Sequence, residues 1–170
     1  MKDILISNLS EKPEYFSEVI NLVEKSFSYQ KNHKFDVDFY PLVNKDNHSN
    51  CYILINKKSH KLIGHIGLKK RKVKIGKSKF PIALFGGIAI DPTERGKGYF
   101  NYLFSKALNK AISQNAFILL WSSEEILYEK YQFFQAGIFK QKNNRNFESN
   151  YFSKNGYIKT KFKDLSSSEK

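Results

Sequence analysis

Two glycines bracket a lysine in Ala89-Ile90-Asp91-Pro92-Thr93-Glu94-Arg95-Gly96-Lys97-Gly98-Tyr99-Phe100. Upstream, Pro81 to Ile90 is an apolar run; downstream, an amphipathic helical pattern begins at once. The chemistry open to such a junction is anion binding. The first N–H groups of a helix have no intrahelical partner, and the helix dipole adds roughly half a positive charge there. Glycines let backbone close around a bulky anion, and Arg95 and Lys97 add full charges. A diphosphate fits that combination without a metal ion. Taken alone, the same residues also read as a tight βα turn; the strand before and the helix after favour a ligand site.

Other chemistry-bearing residues yield less. Gly76-Lys77-Ser78 looks like the end of a nucleotide loop, but GxxxxGK[ST] needs a glycine where Arg71 stands. Both flanks also read as strand, so a tight turn is expected there. Cys51 is the sole cysteine and lies in the run CYILI. It reads as a reduced, buried thiol in a cytoplasm-like compartment.

The elements that must position the glycine loop follow from periodicity. Ile4-Leu5-Ile6 opens as a short strand. From Pro13, the residues Phe16, Val19, Ile20, Val23 and Phe27 recur at spacings of three and four and predict an amphipathic helix. Lys34 to Val43 is a weaker helical candidate, which Tyr40-Pro41 breaks or starts. Cys51–Asn56 and Leu62–Leu68 read as a hairpin around Lys57–Lys61, the second strand running on through Ile75. Pro81–Ile90 is apolar on both faces and belongs inside a sheet, with Gly86-Gly87 marking a bulge or the close approach of another group.

Phe100, Leu103, Phe104, Ala107, Leu108, Ala111 and Ile112 form a helical stripe, and Ala116–Trp121 is a further apolar strand. Strand, loop, long helix and strand make a βαβ unit, so the flanking strands should be parallel. Ser122 and Glu125 form a capping box for a helix with Leu127, Tyr131 and Phe134 inward, closed by Gly137. Asn155-Gly156 signals a late hairpin, and the last residues read as disordered.

The chain of 170 residues fits one domain with a sizeable core. Its net charge is +13, and Asn47 to Ile90 contains lysines and Arg71 but no Asp or Glu. Such a field attracts polyanions, although strand alternation gives much of the lysine a solvated, structural explanation. MKDILISNLSEKP lacks a signal-peptide core, and no run approaches a membrane span, so a cytoplasmic protein is expected.

On these residues the chain resembles the GNAT superfamily of acyl-CoA-dependent acetyltransferases. Gly87-Ile88-Ala89-Ile90-Asp91-Pro92 is similar to its acyl-CoA strand, and Arg95-Gly96-Lys97-Gly98-Tyr99-Phe100 to its R/Q-x-x-G-x-G/A motif. Leu127-Tyr128-Glu129-Lys130-Tyr131-Gln132-Phe133 is similar to the later "lYeklGF" segment. The sequence departs twice: Phe100 replaces the motif's last Gly/Ala, and Gln132 replaces the later glycine.

The resemblance implies an α/β (α+β) fold with a mixed, mostly antiparallel sheet, a central splayed parallel strand pair and flanking helices. It implies a core over 1–140, a polar hairpin of the same domain over 141–163 and a tail over 164–170. The core would be free-standing or shortened from a larger relative. It further implies acetyl-CoA as cosubstrate, with no metal. Main-chain groups of Ile88 and Ile90, with Ala89 between them in the cofactor-binding stretch, would bond the pantetheine arm between strands splayed around Ile90 and Trp121. Arg95, Gly96, Lys97, Gly98, Tyr99 and Phe100 would hold the pyrophosphate, and Tyr128 would protonate the leaving thiolate. His65, Glu124 and Glu125 are candidates for a general base.

The leading reading is an N-acetyltransferase acting on a primary amine of a small molecule or protein. The alternatives are a catalytically inactive CoA-binding module and a basic nucleic-acid-binding protein using the lysine-rich hairpin. Most aromatics sit on apolar stripes, so stacking platforms for nucleic acid are not evident. A positive surface would repel polyamines and aminoglycosides unless Asp36, Asp38 and Asp46 build a local acidic cleft. Oligomeric state is not encoded in any motif.

Overall fold

The computed structural model describes residues 3–30, 32–122 and 124–136. The chain divides into two compact units, 1–123 and 124–170. The first holds a five-stranded sheet in the order β1-β2-β3-β4-β5, built from β1 (Ile4–Asn8), β2 (Cys51–Asn56), β3 (Leu62–Ile75), β4 (Ser78–Ile90) and β5 (Phe117–Leu120). Every pairing is antiparallel except β4 with β5, which is parallel. The long helix α4 (Tyr99–Ile112) makes the crossover between those two strands, as a parallel pair requires.

Strand alternation assigns each helix its face. Cys51, Ile53, Ile55 and Ala89 join a core with Val19 and Val23 of α1 (Phe16–Ser26) and Phe35 of α2 (Phe35–Asp38). Leu42 and Val43 of α3 (Tyr40–Val43) complete that side. On the other face, α4 buries Leu103, Phe104, Ala107, Leu108 and Ala111, and Phe104 meets Phe85 of β4 at 5.4 Å between ring centroids.

Several element boundaries differ from the periodicity. The stripe residues Phe27 and Ile112 are more than half exposed, because α1 ends at Ser26 and Ile112 is the last residue of α4. Pro41 sits in the first turn of α3 and so starts a helix rather than breaking one, where its missing N–H costs nothing. β4 begins at Ser78, three residues before Pro81. β5 stops at Leu120, leaving Trp121 exposed beyond it. Cys51 is fully enclosed as expected, its Sγ–H donating to the Leu42 carbonyl at 3.3 Å. Burial pushes the thiol up to about 12.

The described part of the second unit is α5 (Glu125–Glu129) and the residues to 136. Glu124 holds its N-cap position, two residues after Ser122, with no side-chain cap bond. Tyr128 is buried and meets Phe133 edge-on at 6.2 Å, while Phe134, expected inside, is 83% exposed. Gln132 takes φ +63°, so the position where the family carries glycine is a left-handed one, filled here by a residue that tolerates it poorly. Gly137 and the hairpin and tail expected over 141–170 lie outside the described residues.

Candidate functional site

The site is built on the half of β4 that β5 does not reach. β4 and β5 pair from Ile82↔Phe117 to Phe85↔Leu120. Beyond that point, Gly86–Ile90 has no partner on the β5 side among the described residues. Which backbone groups face that open edge follows from the other side of the strand. The Asp91 N–H donates to the Ile63 carbonyl at 2.8 Å, so Asp91 and Ala89 turn their backbone groups toward β3, and Ile88 and Ile90 turn theirs away. A second contact agrees: Arg95 Nε donates to the Ile90 carbonyl at 3.3 Å.

A bulge lies within this segment. Gly67 pairs with Gly86 and His65 with Ala89, so Ile66 alone opposes both Gly87 and Ile88. Gly87 takes φ +58°, the left-handed glycine that such a bulge uses. A Cβ on Gly87 would stand 2.6 Å from Phe35 Cζ and 3.2 Å from the His65 ring. Both explanations offered for Gly86-Gly87, bulge and close approach, therefore apply to Gly87. His65 is 0% exposed, and its Nδ1–H donates to the Gly87 carbonyl at 2.7 Å. Burial brings its pKa down to about 4, against the opposing pull of that hydrogen bond. It is a neutral core residue, not a base in reach of solvent.

The glycine loop follows. Asp91 accepts from the Thr93 N–H at 2.8 Å and from the Thr93 hydroxyl at 2.6 Å, turning the chain through Pro92–Glu94. Lys61 pairs with Asp91 at 3.0 Å and donates to Thr93 Oγ1 at 3.0 Å. The Thr93 hydroxyl foremost, with Lys61, holds the Asp91 carboxyl down at about 2. Gly96 and Gly98 take φ +76° and +79°, and Gly98 is the N-cap of α4. Among the described residues, no atom beyond their immediate chain neighbours lies within 4 Å of a Cβ built on either. These glycines are required by backbone conformation, and the space beside them is open.

The two loop cations do not stand free as expected. Lys97 Nζ donates to Glu94 Oε2 at 2.8 Å, and Arg95 spends its Nε on Ile90. Tyr99 and Phe100 enter the first turn of α4, both half-buried. Phe100, the bulky residue in the motif's last position, stacks on Phe104 at 5.2 Å with 16° between the rings. Its ring thus continues the core stack outward rather than filling the loop.

The structure gathers Ile88, Ala89, Ile90, Arg95, Gly96, Lys97, Gly98, Tyr99 and Phe100 along one strand, loop and helix start. Tyr128 belongs to the other unit, as does Glu124; the Glu125 side chain lies outside the described atoms. Sequence reasoning missed Lys61, Glu94 and Phe35. Only Phe35 had a signal, the paired glycines that demand a neighbour. Of the aspartates considered for an acidic cleft, Asp38 is engaged by His33 Nδ1 at 3.0 Å. Among the described residues no three or more His, Cys, Asp or Glu side chains gather as a metal site, and no helix is long and apolar enough to cross a membrane.

A family model described as an acetyltransferase (GNAT) domain matches residues 10–136. No curated protein sequence matches the chain. The fold is similar to an acetyltransferase of Trypanosoma brucei, with TM-score 0.64 and 16% identity over 83% of this chain and 99% of that one. It is similar to glucosamine-6-phosphate N-acetyltransferase from Arabidopsis thaliana, with TM-score 0.61 and 17% identity over 82% and 97%. A predicted acetyltransferase from Clostridium acetobutylicum, solved with acetyl-CoA, gives TM-score 0.63 and 14% identity over 82% and 96%.

Proposed function

The chain belongs to the GNAT acetyltransferase family, and from that premise we propose that it moves an acetyl group from acetyl-CoA to a primary amine. The observation that carries the reading is the open edge of Gly86–Ile90 leading into left-handed glycines with free space beside them. An extended pantetheine arm would add to β4 as a strand does, through main-chain groups of Ile88 and Ile90. The diphosphate would meet the amides from Gly96 to Phe100 at the start of α4, where helix geometry leaves donors facing outward. Arg95 and Lys97 would contribute at the margin, since each already has a partner within the protein.

The amine nitrogen attacks the thioester carbon; a C–N bond forms and the C–S bond breaks. The departing thiolate takes a proton, which we assign to the Tyr128 hydroxyl on the strength of the family resemblance. An ammonium has no lone pair, so the acceptor first gives up a proton to water, because His65 is enclosed in the core and out of reach. The acceptor is an amine of a small molecule or protein, and a cytoplasmic location suits an acetyl-CoA user. The residues 1–140 would form the acetyltransferase core.

Two measurements test this. Millimolar CoA should raise the melting temperature without added metal, since ligand at a hundredfold excess over Kd stabilises by about 2.7 kcal/mol. Thiol release from acetyl-CoA with a panel of amines then separates an enzyme from a CoA-binding module that has lost catalysis. In that assay Tyr128→Phe should keep cofactor affinity within a few-fold while turnover falls by roughly 10²- to 10⁴-fold. A fully active Tyr128→Phe protein removes the assigned acid.

A further inference from the structure

We propose that His65 is a positioning residue for the acyl donor: its Nδ1–H, bonded to the Gly87 carbonyl, holds the bulge that decides which backbone groups of β4 face the open edge. The inference rests on the reading of Gly86–Ile90 as the acyl-donor strand.

Side chains and backbone groups alternate along a strand with period two, so one residue more or less inverts everything beyond it. The bulge is such a residue. Upstream, β4 follows the register of Gly67↔Gly86 and Leu68↔Phe85; downstream it follows His65↔Ala89 and Gly64↔Ile90, shifted by one. With the bulge, Ile88 and Ile90 present N–H and C=O to the open side. Without it, Ala89 would do so, and the large Ile88 and Ile90 side chains would exchange faces with the small Ala89. The left-handed Gly87 permits this conformation but does not by itself hold it.

The histidine is a costly way to fill its site. Its ring is 0% exposed, with Phe35 edge-on at 6.4 Å, and Nε2 has no hydrogen-bond partner among the described residues. A buried acceptor without a partner is unfavourable, so a leucine of similar bulk would pack there with less penalty. What leucine could not supply is the 2.7 Å bond to the bulge carbonyl. Among the described residues that bond is the one polar contact the ring makes, and it lands on the residue that sets the register of the site.

The tautomer makes the idea testable, because asparagine places its Nδ2 donor where Nδ1–H stands and glutamine does not. CoA affinity by isothermal titration, acetyl-CoA KM and kcat, and melting temperature would be measured for wild type, His65→Asn, His65→Gln and His65→Leu, all at a temperature where each is folded. We expect His65→Asn to bind within threefold of wild type, and His65→Gln and His65→Leu to lose tenfold or more in affinity with a matching rise in KM. Unchanged affinity in all three, with only melting temperatures lowered, overturns the inference. So does His65→Asn binding normally with turnover reduced a hundredfold, which would make the ring a proton carrier. Should glutamine and leucine prevent folding, a tenfold loss in folded His65→Asn still overturns it, and retained affinity supports it. A wild-type protein that binds no CoA instead overturns the acyl-donor reading itself.

Discussion

Gly87 and Gly98 share a left-handed backbone, at φ +58° and +79°, yet they sit in opposite surroundings. Around Gly87 the space is filled: Phe35 and His65 press on the position a Cβ would take. Around the Cβ position of Gly98 nothing beyond its chain neighbours lies within 4 Å among the described residues, and the loop is tied by surface ion pairs, Lys61 to Asp91 and Lys97 to Glu94. One end of the site is therefore held by packing and the other by local turn chemistry. Damage at the first should register as lost stability together with lost binding, and damage at the second as lost binding with the fold intact.

The sharpest way to break that contrast is Gly87→Ala. A non-glycine residue in left-handed conformation costs roughly 1–2 kcal/mol, and overpacking a close-fitting core adds about 1–3 kcal/mol. We expect a loss of about 2–5 kcal/mol in urea unfolding, a large part of an ordinary domain's stability. An unchanged midpoint would mean that Phe35 yields freely and the bulge is not tightly packed.

Acid separates the two regions by pH window. His65 has a folded pKa of about 4 against 6.5 for the free group. As pH falls, the unfolded chain takes up this proton first. The contribution is therefore full above about 6.5 and is lost progressively as pH drops toward 4, on the order of 3 kcal/mol in all. Asp91 in the loop titrates lower, its pKa moved from 3.8 to about 2; its contribution is present above 3.8 and lost as pH falls through 2. Stability of wild type minus His65→Asn should slope between pH 6.5 and 4 and flatten below. A difference flat across the upper window would place His65 in contact with water.

The loop was the more legible of the two regions, for a physical reason. Apolar strand, paired glycines and the stripe from Leu103 to Ala111 are local patterns, and the turn at Gly76-Lys77 likewise lies between residues adjacent in sequence. The bulge depends on a contact between distant segments, His65 reaching Gly87 across 22 residues; one part of the loop that sequence hid, Lys61 reaching Thr93 across 32, is distant in the same way. The glycine pair announced that something must approach, without saying what. Ends of elements misled for a related reason. Phe27 and Ile112 continue a helical period just where the helices stop, and the Ser122–Glu125 pattern sits two residues before the cap that forms. Gln132 adopts the left-handed turn without the glycine that would have marked it.

Gly98→Val tests the open end. Its Cβ meets no described residue beyond its chain neighbours, so the cost to folding is chiefly the left-handed conformation, about 1–2 kcal/mol and less than at Gly87. The branched side chain would stand in the space assigned to the diphosphate, and CoA affinity should fall tenfold or more. Equal losses of stability in Gly98→Val and Gly87→Ala would erase the distinction between the two ends.

The smallest effect is expected from Lys97→Ala, and it decides between backbone and charge. Lys97 is half exposed and its ammonium lies 2.8 Å from Glu94, a neighbour that also holds its pKa above the ordinary lysine value. To meet a phosphate it would have to leave that partner, so the attraction gained is offset by the one given up. Removing it releases Glu94, which retains Lys61 at 3.8 Å. If the amides from Gly96 to Phe100 hold the diphosphate, Lys97→Ala should weaken CoA binding by no more than about threefold, and salt should affect both proteins alike. If charge holds it, affinity should fall at least tenfold, and the variant should lose most of the salt dependence seen in wild type. Titrations of both proteins at two ionic strengths separate these outcomes, and the second would move the weight of the site from loop shape to Lys97.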